Sequence, residues 1–223
     1  MAATLPVAGV RVAATAAGSF GGQVAALLAS GNCHVVAPDE VKACFASGVD
    51  AVVVAMWRAC PSLCEQTDGQ AFRYGVPWLP VVMEHPRLRI GPWVDPLLGP
   101  CYECYRQRKI QHDTHHAATS ALEGAYERDP ACGPGGYLPH HARVAAGIAG
   151  MTLRRGIAAR RSRGPSPGPA GEVSVINVLT WQTATHRVIA RHGCPRCGRE
   201  DGPGNGLGAV LATTHAAAMG KTA

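Results

Sequence analysis

Residues 51–56 read AVVVAM, and this almost unbroken apolar run is the clearest indicator of fold class in the chain. A strand with one face in water alternates apolar and polar side chains, whereas a strand covered on both faces is apolar throughout. We therefore expect residues 51–56 to form an inner strand of a parallel sheet. The chain has 223 residues, of which 47% are hydrophobic, and this is enough to bury a substantial core around such a strand.

The segments that surround residues 51–56 alternate between strand and helix patterns. Short apolar runs predict strands at residues 10–15, 33–37, 77–83 and 88–94. Helical spacing bounded by glycine or proline predicts helices at residues 23–29, 40–47 and 61–74. Strand–helix alternation with short connections is typical of a doubly wound fold. The predicted fold class is α/β, with a Rossmann-like, mostly parallel sheet formed by residues 5–100.

Two Cys-x-x-Cys pairs carry the strongest chemical signal: Cys101 and Cys104 in GPCYECYRQR, and Cys194 and Cys197 in RHGCPRCGR. One such pair can bind a tetrahedral ion, and two pairs complete a tetrathiolate zinc site, which is structural because no position is left for water. Neighbouring arginines favour thiolate over thiol. The alternative is two unrelated disulfides or free thiols. We prefer zinc, because in a reducing compartment this motif binds metal more often than it forms a disulfide.

The second half of the chain has a different pattern from the first. Helices are predicted at residues 101–111 and 140–159, and a hairpin-like strand pair at residues 173–179 and 187–191 that runs into the second cysteine pair. Residues 111–139 are interpreted as containing loops, and residues 160–171 as an exposed, flexible crossover. We expect residues 101–200 to be a zinc-knuckle and crossover region that completes the domain. Residues 201–223, rich in glycine and alanine, are expected to be a disordered tail.

A glycine-rich segment with Gly18, Gly21 and Gly22 follows the first predicted strand, where a phosphate-binding loop of a nucleotide site would lie. Asp39 follows the second predicted strand, where a ribose-binding acid would lie. The segment does not match G-x-G-x-x-G, however, and the chain has no P-loop motif. We interpret these four residues as a vestigial nucleotide site at most, the alternative being a tight strand-to-helix turn.

Composition and charge restrict the partners and the compartment. The formal net charge of +6 comes almost wholly from arginine, and an arginine-rich face suits an acidic partner or peptide. The arginines are scattered without an aromatic stacking pattern, so we do not expect nucleic acid as a partner. No signal peptide precedes the first strand, and no run reaches the roughly 18 to 20 apolar residues that span a bilayer. The expected location is the cytoplasm, with no membrane partner.

We expect no catalytic or metal-binding role for the remaining cysteines and histidines. Buried, unreactive positions are expected for the five cysteines outside the pairs, which are Cys33, Cys44, Cys60, Cys64 and Cys132. A solvated loop is preferred over a second metal site for the histidine clusters, which are His112, His115 and His116, and His140 and His141.

These motifs together resemble the ThiF-like family, which includes the ubiquitin-activating enzymes and their bacterial relatives. The resemblance rests on Ile90-Gly91-Pro92, on the GPCYECYRQR stretch at residues 99–108, and on HGCPRCG at residues 192–198. It is closest to a degenerate branch of that family. Members of this branch are the partner proteins of cyclodehydratases in azole-forming peptide biosynthesis, also called TOMM leader-peptide-binding proteins.

The resemblance implies a non-catalytic, zinc-stabilised protein that presents a ribosomal precursor peptide to a YcaO-type, ATP-dependent cyclodehydratase. ATP-using members carry an arginine and a lysine on the helix after the second strand. Here Lys42 lies in a short helix and the next arginine is Arg58, so we expect neither ATP binding nor catalysis. The chain begins at the Rossmann-like strand without a winged-helix element. Peptide capture is therefore expected to use an exposed strand edge or a separate recognition protein.

Two other functions remain open from the sequence. One is a ThiF-like adenylyltransferase that uses ATP to activate the C-terminus of a peptide or carrier protein. The other is a zinc-dependent nucleic-acid-binding module, which the positive charge favours and the scattered arginines do not.

Overall fold

The computed structural model describes residues 10–29, 33–36, 40–129, 131–162 and 168–197, which form one sheet with helices on both faces. The strands are β1 (Val12–Ala17), β2 (Cys33–Val36), β3 (Ala51–Met56), β4 (Trp78–Glu84), β5 (Arg87–Ile90), β6 (Glu172–Asn177) and β7 (Thr183–Arg187). The helices are α1 (Gly18–Ala29), α2 (Val41–Ala46), α3 (Pro61–Tyr74), α4 (Tyr102–His112), α5 (His116–Arg128) and α6 (Pro139–Ser162).

The sheet is mixed, with strand order β2-β1-β3-β4-β5-β6-β7. The pairings among β2, β1, β3 and β4 are parallel, whereas β4 with β5, β5 with β6, and β6 with β7 are antiparallel. The expected α/β class is thus confirmed, but the mostly parallel sheet is limited to the first four strands. Only His85 and Pro86 separate β4 from β5, and so short a connection can join antiparallel strands only.

The central strand β3 behaves as its sequence predicts, because all six of its residues are buried. Val53 and Ala55 belong to a core shared with α1 and α6. Val52, Val54 and Met56 belong to a second core, on the opposite face, shared with α2, α3 and α4. Both faces of this strand are therefore covered by helices, which explains why its sequence is apolar throughout.

Several elements differ from the sequence prediction in extent. Helix α1 begins at Gly18 and not near residue 23, and β7 covers Thr183–Arg187 and not residues 187–191. Strand β5 ends at Ile90, because Gly91 has a φ of 107° and Pro92 follows it. Helix α5 occupies part of the segment expected to contain loops, and none of its residues is buried. Helix α5 therefore contributes no buried residue to either core.

Some predictions fall outside the described residues: the 201–223 tail, the central part of the 160–171 crossover, and Asp39. Within the described part of the chain, no helix combines the length and apolar character required to cross a membrane.

Trp93 joins the antiparallel half of the sheet to α6. Its backbone N–H donates to the Glu172 carbonyl at 3.1 Å, and its carbonyl accepts from the Gly171 N–H at 2.9 Å. Its indole is buried beneath α6, where Gly156 leaves room for it, since a Cβ at position 156 would overlap the ring. The absence of a side chain at Gly156 therefore sets how closely α6 packs on the sheet.

Gly156→Ala should lower the free energy of unfolding by about 1–3 kcal/mol, the usual cost of overpacking a core. Gly147 lies in the same helix with no atom near the position of a Cβ. Gly147→Ala should therefore raise the free energy of unfolding by about 0.5–1 kcal/mol through helix propensity. Urea denaturation of the two variants provides the measurement, and equal shifts of the same sign would contradict the packing role of Gly156.

Candidate metal centre

The four cysteines of the two Cys-x-x-Cys pairs meet in one cluster, although the pairs are far apart in the sequence. The sulfurs of Cys101 and Cys194 are 3.6 Å apart, and those of Cys104 and Cys197 are 3.4 Å apart. All four sulfurs lie within 4.8 Å of one another. Cys101, Cys104 and Cys194 are buried, and Phe72 and Ala190 pack against the cluster.

The first pair is positioned by the N-terminus of α4. Cys101 is the residue before the helix, in extended conformation, and its carbonyl accepts from the Tyr105 N–H at 3.3 Å. Cys104 lies in the first helical turn, three residues later, so both side chains project on the same side of the helix. The positive end of a helix dipole stabilises negative charge. This position therefore acts against the neighbouring Cys197 and the burial that raise the pKa of the Cys101 thiol, and against the burial that raises the pKa of the Cys104 thiol.

The second pair lies in a turn that follows β7. Gly193 adopts a φ of 65°, in the left-handed region where glycine is favoured. The Cys194 N–H donates to the Arg191 carbonyl at 3.2 Å. The Arg191 N–H in turn donates to the Cys104 sulfur at 3.2 Å. The turn thus provides both the second pair of sulfurs and an amide that is directed at a sulfur of the first pair.

The cluster fits a tetrahedral metal ion. A Zn–S bond of about 2.3 Å in a regular tetrahedron places neighbouring sulfurs about 3.8 Å apart. The measured separations of 3.4 and 3.6 Å are close to that value. A disulfide needs sulfurs about 2.05 Å apart, and all nine cysteines of the chain are free. The disulfide alternative is therefore wrong for these four residues, which together could hold one metal ion.

The protonation of the cluster is linked to metal binding. Burial raises the pKa of the Cys194 thiol, but the amides of Cys197 and Arg196 outweigh it and bring this pKa down to about 6. Burial raises the pKa of Cys104 to about 11. Crowded thiols titrate as a group, so a bound cation must displace the protons that remain, and metal affinity should increase with pH.

Asp68 supports the cluster and was not identified from the sequence. This buried carboxylate lies on α3 and accepts from the Trp78 indole N–H and the Tyr102 backbone N–H, both at 3.1 Å. Its other oxygen accepts from Arg196 at 2.6 Å. Burial raises the pKa of Asp68, and these three donors act against that rise. One carboxylate thus connects α3, β4 and the residues next to Cys101 and Cys197.

The predicted nucleotide-site glycines lie in the first turns of α1, where packing accounts for two of them. A Cβ on Gly18 would overlap the Trp57 indole, and a Cβ on Gly21 would overlap the Ala55 carbonyl. Gly22 has open space around it. These contacts favour the alternative interpretation, a tight strand-to-helix turn, while the nucleotide role of the glycines stays a prediction.

The carboxyl edge of the parallel strands is covered by side chains and by a neighbouring loop. Arg58 is buried, stacks on Trp57 at 4.3 Å, and donates to the carbonyls of Asp129 and Cys132. The Tyr137 hydroxyl donates to the Ser19 carbonyl at 3.2 Å. A cavity of about 170 Å³ remains between this cover and α4 and α5. Ligands of α/β sheets usually bind at this edge, and here the chain itself occupies much of it.

The histidines belong to no group of three or more potential metal ligands in the part of the chain that the structure describes. Among the residues that the structure describes, the four-cysteine cluster is the only group of three or more potential ligands that could hold an ion. His112, His115 and His116 are exposed, as the solvated interpretation predicts, but His112 ends α4 and His116 begins α5, so only His115 lies in a loop. His140 and His141 instead begin α6 and stack with Trp181.

Comparison with solved structures finds similar folds in heterocyclases and in the microcin C7 biosynthetic enzyme MccB. The heterocyclase TruD gives a TM-score of 0.62 at 21% identity, over 92% of this chain and 32% of that one. A heterocyclase in complex with substrate and cofactor gives 0.62 at 18% identity, over 85% of this chain and 25% of that one. MccB of E. coli, in a structure with AMPCPP and MccA, gives a TM-score of 0.58 at 12% identity, over 86% of this chain and 67% of that one. No protein-family model and no curated protein sequence matches the chain.

Those similarities establish the fold that the chain shares with these proteins. The chain spans about a third of the length of TruD and a quarter of that of the second heterocyclase. It therefore corresponds to one part of a larger enzyme in both cases.

Asp68→Ala should lower the free energy of unfolding by about 2–4 kcal/mol, because the buried N–H groups of Trp78 and Tyr102 would each lose an acceptor. Asp68→Asn keeps one oxygen as the acceptor for these two N–H groups, and it loses the charge-assisted hydrogen bond with Arg196. The Arg196 side chain is 37% exposed, and solvent screening therefore limits the decrease in the free energy of unfolding to about 1 kcal/mol. Urea denaturation measures both values. If Asp68→Asn costs as much as Asp68→Ala, then the ion pair and not the two buried N–H groups makes the larger contribution.

Proposed function

We propose that this chain is a non-catalytic, ThiF-like partner protein in the biosynthesis of azole- or azoline-containing peptides. In this role it helps to bind a ribosomal precursor peptide and presents it to a YcaO-type, ATP-dependent cyclodehydratase. The cyclodehydratase converts Cys, Ser or Thr side chains into azolines, with loss of one water for each ring. The present chain contributes binding and positioning.

One observation carries this proposal: 92% of the chain superposes on a heterocyclase of which it covers only 32%. The chain thus matches one segment of an enzyme that is about three times as long. That heterocyclase combines this fold with other segments, and a YcaO-type cyclodehydratase is the partner that we propose for the present chain. A separate peptide-recognition protein is a further candidate partner.

Zinc is the metal that we propose for the cluster of Cys101, Cys104, Cys194 and Cys197. Four cysteine thiolates in tetrahedral arrangement are the typical structural zinc site. All four positions around the ion would be filled by protein, so zinc would stabilise the fold and would not activate water. Such a site requires reduced thiols, and we propose the cytoplasm as the compartment that keeps them reduced.

The covered carboxyl edge supports the proposal that the chain does not bind ATP. Trp57 packs against Gly18, and the Tyr137 hydroxyl donates to the Ser19 carbonyl. Both contacts occupy the start of α1, where the phosphates of a nucleotide would have to approach the helix N-terminus. We propose that the glycines of this turn are retained for packing.

A second candidate function is a ThiF-like, ATP-dependent adenylyltransferase that activates the C-terminus of a peptide or carrier protein. The similarity to MccB favours it, since that similarity covers 67% of the MccB chain in a structure with AMPCPP. ATP binding separates the two candidates.

Cys104→Ser should remove the zinc and lower the melting temperature, because the free energy of a structural zinc site is folding free energy. We expect a decrease of roughly 10 °C or more, since each kcal/mol is worth about 2–4 °C in a chain of this size. Elemental analysis and thermal denaturation of the same samples provide the measurements. Cys132→Ser is the control, since its sulfur lies outside the cluster, and it should keep one zinc per chain. Full zinc occupancy in Cys104→Ser would contradict the assignment.

Isothermal titration with ATP-Mg²⁺ should give no binding to the zinc-loaded protein. Mixing the chain with a YcaO-type enzyme, a precursor peptide and ATP should then give ring formation, seen by mass spectrometry as loss of water and dependent on this chain. Micromolar ATP binding with pyrophosphate exchange would instead establish the adenylyltransferase. Ring formation at the same rate without the chain would overturn the partner role.

A further inference from the structure

Strand β7 is the last strand of the sheet and is exposed along its whole length. All five of its residues, Thr183–Arg187, are exposed. It pairs with β6 on one side, and no strand among the described residues pairs with its other side. We call this free side of β7 the β7 edge.

The β7 edge presents backbone groups of Thr183, Thr185 and Arg187. The Val188 N–H donates to the Gly171 carbonyl, and the Asn177 N–H donates to the Gln182 carbonyl. Hydrogen-bonded and non-hydrogen-bonded pairs alternate along an antiparallel ladder. The even-numbered residues of β7 therefore bond to β6, and the N–H and C=O groups of the odd-numbered residues point outward. These groups are a template for an added strand.

The chain around the β7 edge is positively charged. Residues 178–197 contain three arginines, two histidines and no aspartate or glutamate. Arg196 pairs with Asp68, but Arg187 and Arg191 form no ion pair with any described residue. Glu172 lies opposite Arg187 in the β6–β7 register, yet its carboxylate is engaged by Arg155 at 2.7 and 2.9 Å. The Arg187 guanidinium donates to the Gly168 carbonyl at 3.0 Å, but its charge has no carboxylate partner among the described residues, so an acidic partner can still pair with it.

Exposed apolar side chains lie at both ends of the β7 edge. Leu179, in the turn before β7, is 76% exposed, and Ile189, just after β7, is 73% exposed. These are the two most exposed large hydrophobic residues in the described part of the chain. Apolar side chains in such positions can be covered by alternate side chains of an added strand.

We infer that the β7 edge binds an extended acidic peptide, which adds an eighth strand to the sheet. Main-chain hydrogen bonds to Thr183, Thr185 and Arg187 supply binding that does not depend on sequence. Acidic side chains of the peptide pair with Arg187 and Arg191, and its apolar side chains cover Leu179 and Ile189. This inference deepens the proposed function and rests on it only for the class of partner, a precursor peptide.

A second copy of the chain is a less suitable occupant. Pairing of two β7 edges would bring the unpaired Arg187 and Arg191 of one copy close to those of the other, without any carboxylate from residues 178–197 of either. Like charges that face each other across a strand pair are destabilising. An acidic peptide neutralises the same charges.

The test uses the full-length, zinc-loaded protein and a fluorescent peptide of five Val-Glu repeats as the probe. The probe should bind, and it should slow the hydrogen exchange of the Thr183, Thr185 and Arg187 amides. Thr185→Pro removes an outward N–H at a place where an edge strand tolerates proline, and it should weaken binding about tenfold. Thr185→Val, which keeps the N–H, is the matched control and should leave binding unchanged.

Charge is tested separately from the backbone. The double variant Arg187→Glu with Arg191→Glu should weaken probe binding about tenfold. Arg154→Glu, an exposed arginine of α6, should not weaken it, and a Val-Lys version of the probe should not bind. A probe N-methylated at alternate residues repeats the backbone test without changing the protein, should Thr185→Pro fail to fold.

Several results would overturn the inference: no binding of the Val-Glu probe, equal effects of Thr185→Pro and Thr185→Val, amides of the β7 edge already protected in the free protein, or a dimer in sedimentation that Thr185→Pro dissociates. The two proposals can fail separately. Ring formation that depends on the chain, without probe binding at the β7 edge, would leave the proposed function standing. Probe binding at the β7 edge, without ring formation, would leave only this inference.

Discussion

The close approach of four sulfurs is the constraint on which the antiparallel half of the molecule depends. Cys101 and Cys194 are separated by 93 positions in the sequence, yet their side chains must share a space a few ångströms wide. This requirement fixes the N-terminus of α4 against the turn after β7. Asp68 strengthens the same junction from α3, through Tyr102 on one side and Arg196 on the other. A cation bound by the four cysteines would neutralise the charge that otherwise opposes the packing of several thiolates.

Ligands of α/β folds usually bind at the carboxyl ends of the parallel strands. The four-cysteine cluster lies at the opposite ends of these strands. Trp78, at the start of β4, forms a bridge with Val94, and Cys101 follows shortly after this bridge. The cysteines therefore lie near the amino ends of the parallel strands, whereas Trp57, Arg58 and the cavity lie near their carboxyl ends. The four-cysteine cluster and the cavity are thus built from different connections of one sheet.

Features that impose a local pattern on the sequence were predicted correctly. Features that depend on contacts between distant residues were not. The apolar run of β3 and the two cysteine pairs were recognisable because burial on both faces and metal binding each impose a strict pattern on neighbouring residues. Helix α5 lies within residues 111–139, which were interpreted as containing loops; because it buries no side chain, neither core required a helix there. Asp68 was missed because a buried carboxylate becomes identifiable only when Trp78, Tyr102 and Arg196 converge on it. The reversal of β5 depends on its connection to β4, which is only two residues long. The expectation of a mostly parallel sheet did not take the length of this connection into account.

The order of strands in the sheet implies an order of unfolding. β5 holds β6 in place, and β6 holds β7, so each strand of the antiparallel half is supported by the one before it. The second cysteine pair follows β7 after six residues, and the cluster therefore fastens the chain just beyond the outermost strand of this series. Local opening in proteins proceeds through contiguous units of differing stability. Release of the cysteine turn would free β7 first and β6 next, while the parallel half, with β3 enclosed at its centre, would be the last region to open.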